Sequence, residues 1–118
     1  MIALIPEKYK NNEEILNRVK QQLKKDAQMV QMPFAEWENA ASLEDFYQSV
    51  NLQVAFLIEH DFELLTRLFY RVDVNESEMK AKLYSRRRAE ASEVLTDAIL
   101  GREFQKVIFK MQFSGELK

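Results

Sequence analysis

Apolar residues recur at steps of three and four between about Ser42 and Arg71, a stretch that contains neither Gly nor Pro. This spacing places the apolar side chains on one face of an α-helix, and the rise per residue predicts one continuous helix of roughly 40 Å. A second apolar band widens the face, which predicts a central helix packed on at least two others. The main stripe comprises Leu43, Tyr47, Val50, Val54, Leu57, Leu64 and Leu68, and the second band comprises Phe62, Leu65 and Phe69.

Before the central helix, the pattern predicts an N-terminal arm and one amphipathic helix. Residues 1–10 begin with an apolar run closed by Pro6, and we expect this arm to lie across the core. Asn11 or Asn12 then suits a helix N-cap, because such side chains accept hydrogen bonds from free backbone N–H groups. The helix continues to about Met29.

The segment that joins these two helices, residues 29–41, has no clear period and is interrupted by Pro33. Proline disfavours the helical conformation of the residue before it. The apolar content of the segment predicts packing on the bundle; in the alternative interpretation, Phe34 and Trp37 line a binding groove. Ser42 follows as the N-cap of the central helix.

Beyond the central helix, the pattern predicts a cap at Asn75, a third helix and a fourth helix from about Ala89 to Phe113. A bend at residues 84–88 is the preferred junction of the two; in the alternative they are continuous. The fourth helix is apolar on two faces, and such a helix is buried all round. In one interpretation, the N-terminal arm and the linker cover the second face. We favour a homodimer formed through the fourth helix, to which the central helix could add, and the interface would contain Phe104, Val107, Ile108 and Met111.

The composition indicates one folded domain, residues 1–118, with the arm at 1–10 and a frayed tail at 114–118. A chain of 118 residues suffices for one hydrophobic core. Its two Gly and two Pro favour few long helices over many short strands. The predicted fold is therefore all-α, an antiparallel bundle of about four helices, two long and two shorter.

The charge and hydropathy of the chain bear on its partners and its location. A net charge of −2 disfavours a nucleic-acid binder. No run approaches the 18 apolar residues of a membrane span, and the first residues lack the basic lead-in of a secretory signal. The expected location is cytoplasmic, with no membrane partner.

Polar residues on the predicted apolar faces are the first candidates for chemistry. Asp61 interrupts the stripe of the central helix, and Arg102 interrupts the stripe of the fourth helix. In an antiparallel packing the two would meet and form a buried ion pair, because a buried carboxylate needs a partner and Arg matches it. The pair fixes the helix register or, together with Arg71 and His60, forms a pocket for a small anionic ligand.

Metal binding and covalent catalysis find little support in the sequence. The absence of Cys excludes disulfides and thiolate zinc sites. His60 is the only histidine, and the Glu-x-x-His step of carboxylate di-iron bundles does not occur. No serine lies in a nucleophile elbow. We expect no catalytic residue, no metal and no cofactor.

A basic run near the predicted bend offers a nucleic-acid alternative, since clustered cations can contact phosphates. Acidic residues bracket the run, and a charge run is usually a solvated face. The run comprises Lys80, Lys82, Arg86, Arg87 and Arg88. The leading interpretation is a non-enzymatic interaction or scaffold module that uses apolar helix faces. Binding of a small anionic ligand and a nucleic-acid accessory role remain the alternatives.

Overall fold

The helical pattern of the sequence is realised as a bundle around one hydrophobic core. The computed structural model describes residues 2–33, 37–77, 80 and 88–117. Five α-helices have both ends in these ranges: α1 (Glu7–Lys10), α2 (Glu13–Met29), α3 (Leu43–His60), α4 (Phe62–Val72) and α5 (Arg88–Phe113). Residues 76–77 and 80 are also helical. No strand occurs in the described ranges, which confirms the predicted all-α bundle.

Two of the predicted N-caps lie at the starts of α2 and α3. The side chain of Asn12 accepts a hydrogen bond from the Ile15 backbone N–H at 3.0 Å, at the start of α2. The Ser42 hydroxyl accepts from the Asp45 N–H at 3.1 Å, at the start of α3. Both caps satisfy N–H groups that the first turn of a helix leaves free.

The central helix is not continuous, which corrects the prediction of one helix from Ser42 to Arg71. The backbone of Asp61 leaves the helical region, with φ −157° and ψ 72°. Its side chain accepts a hydrogen bond from the Leu64 N–H at 3.1 Å and so caps α4. Aspartate competes well for such a cap, and α3 therefore ends one residue earlier, at His60.

The helix directions follow from the contacts between named residues. Two ion pairs show that α2 and α5 are antiparallel. Arg18, in the first half of α2, pairs with Glu116 just beyond the end of α5. Asp26, near the end of α2, pairs with Lys106, which comes earlier in the chain than Glu116. The contacts of α3 with α5 run in the same order along both helices. Tyr47 donates to the Glu93 carbonyl, and one turn later Thr96 donates to the Asn51 side chain.

The second face of α5 is buried within the chain, which corrects its assignment to a homodimer interface. The four residues assigned to that interface are all buried: Phe104, Val107, Ile108 and Met111. The arm contributes to the cover: Ile5 is buried in the same core, the Ile2 N–H donates to Asp97 of α5 at 3.1 Å, and the Gln112 side chain contacts the Tyr9 hydroxyl.

The C-terminal residues fold back instead of fraying. Gly115 has φ +83°, a left-handed conformation that Gly adopts without steric cost. The N–H groups of Glu116 and Leu117 then both donate to the Met111 carbonyl, at 2.8 and 3.1 Å. These bonds satisfy a free carbonyl at the end of α5 and bring the Glu116 side chain to α2.

The linker packs on the bundle. Trp37 is fully buried and makes an edge contact with Phe46 of α3, with ring centroids 6.4 Å apart. The buried Lys20 side chain donates to the Ala40 carbonyl. The groove interpretation of this segment also required Phe34, which lies outside the described residues.

Candidate functional site

A buried charged cluster joins α2, α4 and α5. Its centre is Asp26 of α2, whose side chain is only 1% exposed. One carboxylate oxygen accepts hydrogen bonds from Arg71 Nε of α4 at 3.1 Å and from the Gln22 amide at 3.2 Å. The other oxygen accepts from Lys106 Nζ of α5 at 3.2 Å. Buried carboxylates persist in proteins when they are matched in this way.

A second acid, Glu103 of α5, lies beside this cluster with no solvent exposure. Lys106 Nζ lies 2.7 Å from Glu103 Oε1, but as a carboxylate Glu103 accepts no hydrogen bond from the described residues. A buried carboxylate without hydrogen bonds is costly. We therefore expect Glu103 to hold a proton at neutral pH.

The pKa values of Glu103 and Asp26 shift in opposite directions. Burial, together with the neighbouring Asp26 carboxylate, raises the pKa of Glu103 to about 8, and Lys106 offsets only part of that rise. Burial also acts to raise the pKa of Asp26, but hydrogen bonds from Glu103, Lys106 and Gln22 outweigh it and hold that pKa below its ordinary value. At neutral pH the two acids therefore carry one negative charge in total, and that charge lies on Asp26.

The predicted pair of Asp61 and Arg102 does not form. Asp61 is exposed and caps α4, while Arg102 donates to the carboxylate and carbonyl of Asp73, each at 3.3 Å. The prediction assumed antiparallel packing of the two long helices, whereas the contacts of α3 and α5 run in the same direction. Of the proposed ligand site, only Arg71 enters the buried cluster; His60 is exposed against the Phe56 ring.

The sequence contained a signal for the cluster that the prediction did not use. Asp26 lies three residues after Leu23 on the apolar face of α2. Glu103 lies four residues after Ile99 and four before Val107, on a row of buried residues. A carboxyl group at a core position of a helix indicates a buried partner. The prediction placed the polar interruption of α5 one residue too early, at Arg102.

Exposed apolar side chains form the second notable feature. Four of them lie on α3 and α4, the helices joined at Asp61, and they define what we call the α3–α4 apolar surface. They are Leu52 (71% exposed), Phe56 (59%), Phe62 (50%) and Tyr70 (67%). Phe62 and Tyr70, together with Phe69 and Val74, line a small depression of about 60 Å³.

Most of the basic run that the sequence suggested lies outside the described residues. Of the basic run, only Lys80 has a described side chain, and it forms an ion pair with Glu76 at 3.3 Å; Lys82, Arg86 and Arg87 lie outside the described residues, as does the Arg88 side chain. Within the described ranges, no group of three or more potential ligand residues is arranged to hold a metal ion. The same ranges contain no helix with the length and apolar character of a membrane span.

Comparison of this chain with protein-family models, with curated proteins and with solved structures gives no match.

Proposed function

We propose that this protein is a non-enzymatic interaction module that forms a homodimer through the α3–α4 apolar surface. The observation that carries the proposal is the exposure of four large apolar side chains on two consecutive helices. Large exposed apolar side chains on neighbouring helices are typical of protein interfaces. The surface replaces the face of α5 that the sequence suggested, because that face is already buried within the chain.

The charges beside this surface favour a second copy as the occupant. Glu63 and Arg67 are exposed one turn apart on α4, next to the row that contains Phe62 and Tyr70. Neither forms an ion pair within the part of the chain that the structure describes. In a two-fold contact between antiparallel α4 helices, Glu63 of each copy would face Arg67 of the other, which is the self-complementarity that an isologous interface requires.

A charge-swap experiment tests this arrangement. Arg67→Glu would place two acidic side chains opposite each other in each half of the contact, and we expect it to weaken dimerisation by about tenfold. The double variant Glu63→Lys with Arg67→Glu restores opposite charges and should restore most of the affinity. The dimer dissociation constant is measured by sedimentation equilibrium at low ionic strength, because salt screens exposed charges.

Phe113→Ser provides the control, since it removes an exposed aromatic ring from α5, a helix that contributes no residue to the α3–α4 apolar surface. We expect it to leave dimerisation unchanged. Equal dissociation constants for the unmodified protein and Arg67→Glu would contradict the proposed contact. A dimer that Phe113→Ser disrupts would move the interface to the end of α5.

A further inference from the structure

A groove between α2 and α5 combines an apolar floor with a cationic rim. It encloses about 400 Å³ and is open to solvent. The buried side chains of Val107 and Met111 contribute to its floor. Its rim carries three cations, Arg18 and Lys25 from α2 and Lys110 from α5. None of the described residues that line the groove is acidic, although Glu14 and Glu116 both pair with Arg18 at its edge.

The buried cluster beneath this groove does not cancel the charge of the rim. Gln22 connects the two, because it lines the groove and also donates to Asp26. Asp26 carries one negative charge, while Lys106 and Arg71 carry two positive charges. A pKa of about 8 keeps Glu103 mostly protonated at neutral pH, so the cluster is net positive and adds to the field of the rim.

One end of the groove already holds a carboxylate from the same chain. Arg18 donates two hydrogen bonds to the Glu116 carboxylate, at 2.9 and 2.7 Å, and the Ser114 hydroxyl donates a third at 2.9 Å. Arg18 also contacts Glu14 at 3.1 Å. The paired donors of a guanidinium match carboxylate and phosphate equally well. The geometry of Arg18 is thus that of an oxyanion site with an internal occupant.

Two further cations of the groove have no such occupant. Lys25 and Lys110 form no ion pair with any residue that the structure describes. Lys25 lies seven positions after Arg18, which places the two about 10 Å apart along α2. An anion with a single charged group engages one end only, whereas a small molecule with several charged groups engages both.

We propose that this groove binds a small multivalent oxyanion, a polycarboxylate or a polyphosphate, which displaces Glu116 from Arg18 and extends to Lys25 and Lys110. Glu116 acts as a competing internal ligand. The site is independent of the α3–α4 apolar surface, since the two share no residue.

Calorimetric titration of the full chain at low ionic strength tests the proposal, with citrate and pyrophosphate as separate probes. We expect saturable binding of at least one probe, and the stronger of the two identifies the oxyanion class. Glu116→Gln should bind that probe severalfold more tightly, because the internal competitor has lost its charge. The double variant Lys25→Gln with Lys110→Gln should bind it at least about tenfold more weakly, because two charge-assisted contacts are lost.

Lys80→Gln is the matched control, since it removes an exposed cation outside the groove. It should bind the probe as the unmodified protein does. The absence of saturable binding by both the unmodified protein and Glu116→Gln would overturn the proposal. Equal weakening by Lys80→Gln and by the groove variants would overturn it as well, because binding would then depend only on net charge.

Discussion

The carboxylate of Asp26 on α2 accepts a hydrogen bond from Lys106 Nζ on α5, at 3.2 Å. Arg71 of α4 completes the match from the other side, at 3.1 Å. These contacts tie three helices together at one buried charge. They also leave Glu103 as the protonated partner of the pair.

Replacement of Asp26 by Asn should destabilise the protein strongly. The variant keeps the shape of the side chain but leaves Lys106 and Arg71 without their shared negative charge. Loss of one member of a buried ion pair commonly costs about 3 kcal/mol or more. Urea denaturation measures the loss in the free energy of unfolding.

Asp73→Asn is the matched control for this substitution. Asp73 also pairs with an arginine, Arg102, but its side chain is exposed. Its left-handed backbone, with φ 71°, is one that Asn adopts readily. We expect a loss of less than about 1 kcal/mol. Similar losses in the two variants would contradict the structural role assigned to Asp26.

The stability of the protein should fall as the pH rises from about 5 to about 8. The pKa of Glu103 is about 8 in the folded protein and near 4.5 in the unfolded chain, so the folded state holds one more proton in this range. Each pKa unit corresponds to about 1.4 kcal/mol, and the loss should approach several kcal/mol. At pH values below the ordinary range of Asp, the stability should instead fall as the pH falls. The lowered pKa of Asp26 means that the unfolded chain binds a proton there before the folded protein does.

Glu103→Gln isolates this effect, because glutamine retains the neutral shape and cannot ionise. The difference in the free energy of unfolding between variant and unmodified protein should shift in favour of the variant as the pH rises through this range. Thermal or urea unfolding at several pH values measures it. A difference that does not change with pH would mean that Glu103 titrates normally.

Asp61→Ala distinguishes a helix cap from a buried ion pair. The side chain of Asp61 bonds only to the Leu64 N–H in the described structure, and loss of an N-cap costs about 1 kcal/mol. Ser42→Ala removes the equivalent cap of α3 and should cost a similar amount. A loss of about 3 kcal/mol or more in the free energy of unfolding, as for a broken buried ion pair, would instead support the predicted ion pair of Asp61 with Arg102.

Phe104 and Phe113 on α5 provide a matched test of which face is buried. Phe104 has no solvent exposure, and Phe113 is largely exposed. Phe104→Ala should lower the free energy of unfolding by about 3–5 kcal/mol, and Phe113→Ala should change it by less than about 0.5 kcal/mol. Equal effects would contradict the packing of α5 within a single chain.

The sequence predicted local structure better than tertiary contacts. The caps at Asn12 and Ser42 are confirmed because each depends on residues three apart in the chain. The break at Asp61 was missed, since the apolar period continues across it from Leu57 to Leu64. A capping side chain and a buried polar residue look alike in such a pattern.

The buried cluster was harder to predict because it depends on the phase of α5. Arg102 and Glu103 both follow buried residues by four positions, namely Ala98 and Ile99. When a helix is apolar on both faces, periodicity cannot decide which of two adjacent polar residues points to the core. That choice depends on Asp26 and Arg71, which approach from other helices.

The mass of the unmodified protein in solution tests the proposed homodimer most directly. Light scattering after size exclusion, at two protein concentrations, gives this mass without assumptions about shape. The proposal predicts twice the chain mass of 14.0 kDa at the higher concentration, with a shift towards the single chain on dilution. A mass of one chain at both concentrations would contradict the homodimer and leave the α3–α4 apolar surface without a second copy to cover it.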